Sequence, residues 1–206
     1  MKPAFVTFTG VDKGTDLARV ESISRQWPVE WGVLFSPDRQ GLEPRYPAMD
    51  VVDRIRTIRA AKAAHLCGAH AKAIMAGSWA NADFTGFGRI QVNHRSPDPE
   101  TIAEFASRHG ISAIAQTRGE TYPKSDAVAW LFDCSGGIGR LPNAWPKHPG
   151  DRLVGYAGGI SPDTIAEVLN AVDDSGPYWL DMETGVRTDD MLDLDKCEAV
   201  LRAVYG

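Results

Sequence analysis

A single (β/α)8 barrel is the fold this chain of 206 residues predicts, and three observations predict it. Short, almost continuously apolar runs recur eight times, as strands covered on both faces require. Amphipathic helical stretches fall between them, so the order alternates strand and helix. The length sits at the short end for that arrangement, ~200 residues, and accommodates it as one compact domain over 1–206.

Taken in order, the strand candidates are AFVTF (4–8), WGVLF (31–35), AAHLC (63–67), RIQVN (89–93), ISAIAQ (111–116), AVAWLFD (127–133), RLVGYA (152–157) and YWLDME (178–183). Between them Leu17, Val20, Ile23 and Trp27 mark one helical face, and Val52, Ile55 and Ile58 a second. Ile102, Phe105, Ala106 and His109 mark a third, and Ile165, Val168, Leu169 and Val172 a fourth, at the i, i+3, i+4, i+7 spacing of an amphipathic helix. Asp98 before Pro99 and Ser161 before Pro162 read as an N-cap followed by a first-turn proline. The segment TRGETYPKS between the fifth and sixth strands is too short and polar to predict a helix. The acidic run TDDMLDLD (188–195) is expected to open the final helix around Cys197–Val204, where negative charge suits the helix N-terminus. An open doubly wound sheet is the competing fold, but TFTGVDKG lacks its G-x-G-x-x-G fingerprint.

Composition narrows the function classes. Hydrophobic residues are 43% and charged residues 24%, the balance of a globular domain, and the formal net charge of −5 argues against nucleic acid as a partner. No apolar run approaches membrane-spanning length and MKPAFVTFTG enters a strand pattern directly, so neither a membrane partner nor a signal peptide is expected. Three scattered cysteines, Cys67, Cys134 and Cys197, predict no disulfide framework and a cytoplasmic setting. His65, Cys67 and His70 in HLCGAH have a metal-like spacing without a fourth ligand nearby, so no metal and no cofactor is expected. Trp130 and Trp145 read as packing residues. The expected assembly is a monomer or homodimer, and the glycine turns at the strand ends point to a small phosphorylated molecule as its ligand.

In a barrel, ligand chemistry belongs at the strand C-termini and the loops that follow. Those positions hold FTGVD after strand one, FSPDRQGLEPRYP after strand two, HLCG after three, QVNH after four, FDCSGGIG after six, YAGG after seven and LDMETGVR after eight. Glycine-freed amides beside a helix N-terminus form a phosphate cradle. The candidates for it are Gly136, Gly137, Gly139, Gly158, Gly159 and Gly185. A strand-to-helix turn needing positive φ would explain the glycines at 158–159 equally well.

These motifs resemble the phosphoribosylanthranilate isomerase family along the whole chain. FTG (8–10) stands where the family has K-I-C-G, and EPRY (43–46) is similar to its S-P-R-Y turn. IQVN (90–93) is similar to V-Q-L-H, and LFDCSGGIG (131–139) to L-L-D followed by G-G-T-G. AGGISPDTIAE (157–167) resembles A-G-G-L-N-P-E-N-V, and LDMETGVR (180–187) lines up with V-D-V-S-S-G-V-E. The resemblance implies a TIM barrel performing an Amadori rearrangement of a ribosylamine phosphate in tryptophan biosynthesis. It implies Asp133 as general acid, its pKa raised by an incoming phosphate, and Arg45 as the clamp for the anthranilate carboxylate, with Asn93 in the substrate site.

Two departures reshape that expectation. The family's base cysteine is Thr9 here, and a hydroxyl cannot take a carbon-bound proton unless another group first takes its own. Asp12, Cys67, His65 or Glu183 could replace it. Glu183 also stands where the family has a serine near phosphate, so Arg187, four residues on, is expected to screen it. Asp181 and Glu183 share one face of the strand, and a close carboxylate pair raises one pKa. Two alternatives stay open: a phosphate-binding barrel with another proton-transfer or lyase activity, and a ligand binder without chemistry. No lysine ends a strand, which disfavours Schiff-base aldol chemistry.

Overall fold

The computed structural model describes residues 1–78, 83–135 and 139–206. Its strands are β1 (Phe5–Thr9), β2 (Val29–Phe35), β3 (Ala61–Leu66), β4 (Arg89–Val92), β5 (Ser112–Thr117), β6 (Ala129–Asp133), β7 (Val154–Ala157) and β8 (Tyr178–Met182). Each pairs in parallel with the next, and β8 returns to β1 through Phe5↔Trp179 and Thr7↔Asp181, closing an eight-stranded barrel. The eight apolar runs therefore all become barrel strands, with ends moved by one or two residues.

Among the described residues six α-helices cover the ring: α1 (Leu17–Gln26), α2 (Met49–Thr57), α3 (Ala69–Met75), α4 (Pro99–Arg108), α5 (Ile165–Ala171) and α6 (Leu194–Tyr205). Asp98 caps α4 as expected, its carboxylate accepting from Thr101 N at 2.7 Å with Pro99 in the first turn. Asp16 and Asp193 cap α1 and α6 in the same way. No helix is found among the described residues between β5 and β7. Pro142, Pro146 and Pro149 interrupt any helical ladder in the second of those connections. That wall is packed instead by aromatic rings, with Trp145 edge-on to Tyr156 at 5.7 Å and Tyr122 edge-on to Tyr156 at 5.9 Å. Trp130 is buried and donates to Ser125 O at 2.8 Å.

Two local expectations are corrected. Ser161 does not cap α5, which begins at Ile165 after Thr164. Residues 161–164 form a turn in which Ser161 N donates to Thr164 Oγ1 at 2.9 Å and that hydroxyl donates back to Gly159 O at 2.8 Å. The acidic run does not all open α6 either. Arg187–Thr188 and Met191–Leu192 pair as a short antiparallel ribbon, with Asp189 and Asp190 at its turn at φ 51° and 60°. Aspartate tolerates that left-handed backbone, and two such residues in succession suit a tight hairpin.

The barrel interior is divided. Ile114, Leu131, Ala157 and Trp179 form an apolar cluster on one side, and Gly155 leaves the space that the Trp179 ring fills. The other side is polar, with Thr7, Thr9, Glu30, His65, Gln91 and Asp181 all buried. Glu30 accepts from Thr7 at 2.9 Å and pairs with Arg89 at 3.3 Å, while the Arg89 guanidinium lies 4.4 Å from the Trp179 ring centroid. This plug closes the N-terminal end beneath the site.

Candidate active site

At the opposite end the strand C-termini surround a cavity of about 350 Å³. It is within the usual range for small-molecule sites. Thr9, Arg45, Cys67, Asn93, Asp133 and Glu183 all reach it from β1, β2, β3, β4, β6 and β8 or the loops that follow them. Gly139, Gly158, Gly159 and Gly185 line its far wall. Gly136 and Gly137 lie outside the described residues. Asp12 and Arg187 do not line the cavity, so neither is placed to touch a ligand there, though the Arg187 charge still helps to hold the Glu183 carboxyl down as expected.

The carboxylate at the floor is Asp181, which inward projection from β8 places beside Thr9. Thr9 Oγ1 donates to Asp181 Oδ1 at 2.8 Å. Burial pushes the Asp181 carboxyl up to about 8; the Thr9 hydrogen bond opposes this, and the like charges of Glu30, Glu183 and Asp133 add to it. Gly32 makes room for the arrangement, since a Cβ there would stand 2.5 Å from Thr9 Oγ1 and 3.0 Å from His65 Nε2. His65 is neutral at ordinary pH, lowered to about 3 by burial and then by the positive charge of Arg89. Its Nε2 and the Gln91 Oε1 are buried without a hydrogen-bond partner among the described residues. Both belong to side chains that line the cavity, so a bound ligand or water can satisfy them.

Two other candidate bases are poorly suited. Burial pushes the Cys67 thiol up, away from the thiolate form. Asn93 sits between it and Gln91, donating to Cys67 Sγ at 3.2 Å and accepting from Gln91 Nε2 at 2.9 Å. Asp12 is a structural carboxylate. It pairs with Arg187 at 3.1 Å, accepts from Leu192 N at 2.6 Å and from Thr15 Oγ1 at 3.0 Å, with both ion-pair partners buried. This pair fastens the ribbon after β8 to the loop after β1.

Arg187 is thus occupied, and Arg45 is the cation that meets Glu183, at 2.6 Å. Its second terminal nitrogen pairs with Asp190 on the ribbon turn. Burial pushes Glu183 up while Arg45 pulls it back. Arg45 thus holds two carboxylates of the protein itself.

Asp133 ends β6 and accepts from Ser135 N at 2.9 Å and Ser135 Oγ at 2.7 Å, both at Oδ1. Gly158 lies directly across from it, for a Cβ there would stand 3.8 Å from the same oxygen. Gly158 and Gly159 have φ of 117° and 67°. A side chain on Gly159 would collide with the backbone of Arg140 and Leu141, and one on Gly185 with the backbone of Ile160. The glycines therefore let the loops after β6, β7 and β8 cross at backbone contact beside Asp133. Five residues separate Gly159 from the start of α5, so any anion here meets loop amides and not that helix N-terminus.

Asp181 was legible only as half of the Asp181–Glu183 pair. Arg39, Arg95, Arg118, Gln116 and Ser135 also line the cavity and carried no motif signal. Among the described residues, no group of three or more His, Cys, Asp or Glu side chains is placed to hold a metal ion, and no helix is long and apolar enough to cross a membrane.

No family model matches the sequence, and no curated protein matches it significantly. Solved structures do match. The monomers generated from the dimeric phosphoribosylanthranilate isomerase of Thermotoga maritima superpose with a TM-score of 0.64 at 15% identity, over 100% of both chains. The N-(5'-phosphoribosyl)anthranilate isomerase of Pyrococcus furiosus gives 0.63 at 19% identity, over 97% of this chain and 98% of that one. The chain shares the fold of these isomerases from end to end.

Proposed function

We propose that the protein is an aldose–ketose isomerase acting on a phosphorylated aminosugar, related in chemistry to phosphoribosylanthranilate isomerase. The observation that carries this reading is the meeting of two carboxyl groups, Asp133 and the high-pKa Asp181, in one cavity walled by glycine turns. An Amadori rearrangement needs a proton delivered to the ring oxygen and a proton removed from C2. Asp133 protonates the ring oxygen, which opens the sugar to an iminium at C1. The ionised Asp181 takes the C2 proton, and the resulting enolamine tautomerises to the ketose. A base with pKa about 8 has the strength that this step asks of the family's cysteine, and Thr9 orients it through the 2.8 Å hydrogen bond. The loop amides around Gly139, Gly158, Gly159 and Gly185 hold the phosphate.

The Arg45–Glu183–Asp190 cluster supports a narrower second reading, a related proton-transfer enzyme whose substrate has no carboxylate at Arg45. Expression in a tryptophan auxotroph lacking phosphoribosylanthranilate isomerase separates the two. Restored growth supports the first; absence of growth with protein present rejects that activity in favour of the second.

A further inference from the structure

The protein carries a net charge of −5, yet four arginines, Arg39, Arg45, Arg95 and Arg118, line this cavity against Asp133, Asp181 and Glu183. Two of the four are engaged. Arg45 is held by Glu183 and Asp190, and Arg39 donates to the Tyr46 hydroxyl at 3.0 Å, with Glu43 3.7 Å away. Arg95 and Arg118 differ: among the described residues neither has a carboxylate partner or a side-chain hydrogen bond. They leave the barrel side by side, because Arg95 follows β4, Arg118 follows β5, and those strands pair through Val92↔Ala115. In the closed ring β4 stands opposite β8. Following β4 and β5, the two arginines line a different arc of the mouth from the glycine turns of β7 and β8, Arg95 three and four strands from them and Arg118 two and three.

We propose that Arg95 and Arg118 form a second anion subsite, so that the ligand bears an oxyanion at each end, one at the glycine turns and one between these arginines. The first anion rests on the phosphate placement proposed above; the second does not depend on it. Guanidinium groups bind carboxylate and phosphate alike through paired N–H donors, and both arginines are exposed, so a flexible pair can close on either. With Arg45 already tied to Glu183 and Asp190, this pair is also the natural receptor for a terminal carboxylate that Arg45 cannot take.

Calorimetric titration of the wild-type protein and the Arg95→Ala/Arg118→Ala double variant tests this with matched probes. Ribulose 5-phosphate is compared with ribulose 1,5-bisphosphate, and N-(5-phosphoribityl)aniline with N-(5-phosphoribityl)anthranilate. Wild type is expected to bind at least one two-ended probe ten or more times more tightly than its one-ended twin, and the double variant to lose that advantage. The pair that shows it tells whether the second anion is a phosphate or a carboxylate. Equal affinity within both pairs, no binding of any probe, or an advantage that survives the double substitution overturns the proposal. Ribulose serves as control for the parent reading. If ribulose and ribulose 5-phosphate bind wild type alike, the phosphate at the glycine turns is wrong, while an arginine-dependent carboxylate advantage still stands.

Discussion

Asp181→Asn is expected to stabilise the protein, and to do so more as pH rises. The folded state holds the Asp181 proton to about pH 8, whereas the unfolded chain releases it near the usual 3.8. Between those values the unfolded state binds fewer protons, so stability falls with increasing pH. From pH 5 to pH 8 the linkage amounts to about 4 kcal/mol. Asparagine has the same shape, cannot ionise, and can still accept the Thr9 hydroxyl through its amide oxygen. The variant therefore lacks this decline. For a domain of this size the difference is about 10 °C in Tm at pH 8 and much less at pH 5. Urea denaturation of both proteins at the two pH values measures it. Parallel pH dependences would refute the claim that the barrel floor holds Asp181 protonated, and with it the source of the base.

Three further outcomes follow from the same geometry. If Asp181 is the base, kcat/KM rises about tenfold per pH unit below pH 8 and levels above it; a rate that falls through that region would make Asp181 the acid instead. Gly159→Ala places a side chain against the Leu141 backbone at φ 67°, so thermal denaturation is expected to show a loss of roughly 1–3 kcal/mol and calorimetry a loss of ribose 5-phosphate binding. A variant as stable as wild type that still binds the sugar phosphate would contradict the loop-crossing account. Glu183→Gln removes a negative charge from the cavity, and inorganic phosphate is expected to bind several-fold more tightly to it, as read by calorimetry. Unchanged or weaker binding would place the anion away from β8.

The barrel was legible because its signals are local. Runs such as AVAWLFD and WGVLF are apolar on both faces, and Asp98-Pro99 caps a helix using nothing beyond its own turn. Strand ends likewise pointed to Asp133, Asn93 and the glycine turns, since a closed parallel barrel puts all of them at one mouth. What escaped depends on partners distant in sequence. Asp12 looked like a free carboxylate three residues from Thr9, but its ion pair with Arg187 is made across 175 positions. Arg45 looked free for a ligand until the ribbon after β8 delivered Asp190 to it. The high pKa of Asp181 arises from enclosure by the whole ring, which no residue pattern records. The acidic run at 188–195 was legible in its second half, where Asp193 caps α6 and Asp195 lies in its first turn, whereas Asp189 and Asp190 in left-handed conformation made a hairpin that charge alone does not record.

The central claim is that Asp133 and Asp181 carry acid–base chemistry on a phosphorylated aminosugar. Its most direct test supplies N-(5-phosphoribosyl)anthranilate to the purified protein and follows its conversion to the ketose by fluorescence. Wild type is expected to turn it over, and Asp133→Asn and Asp181→Asn each to lose on the order of a hundredfold or more in kcat while remaining folded. Turnover that survives both substitutions, or no turnover by the folded wild-type protein, would contradict it.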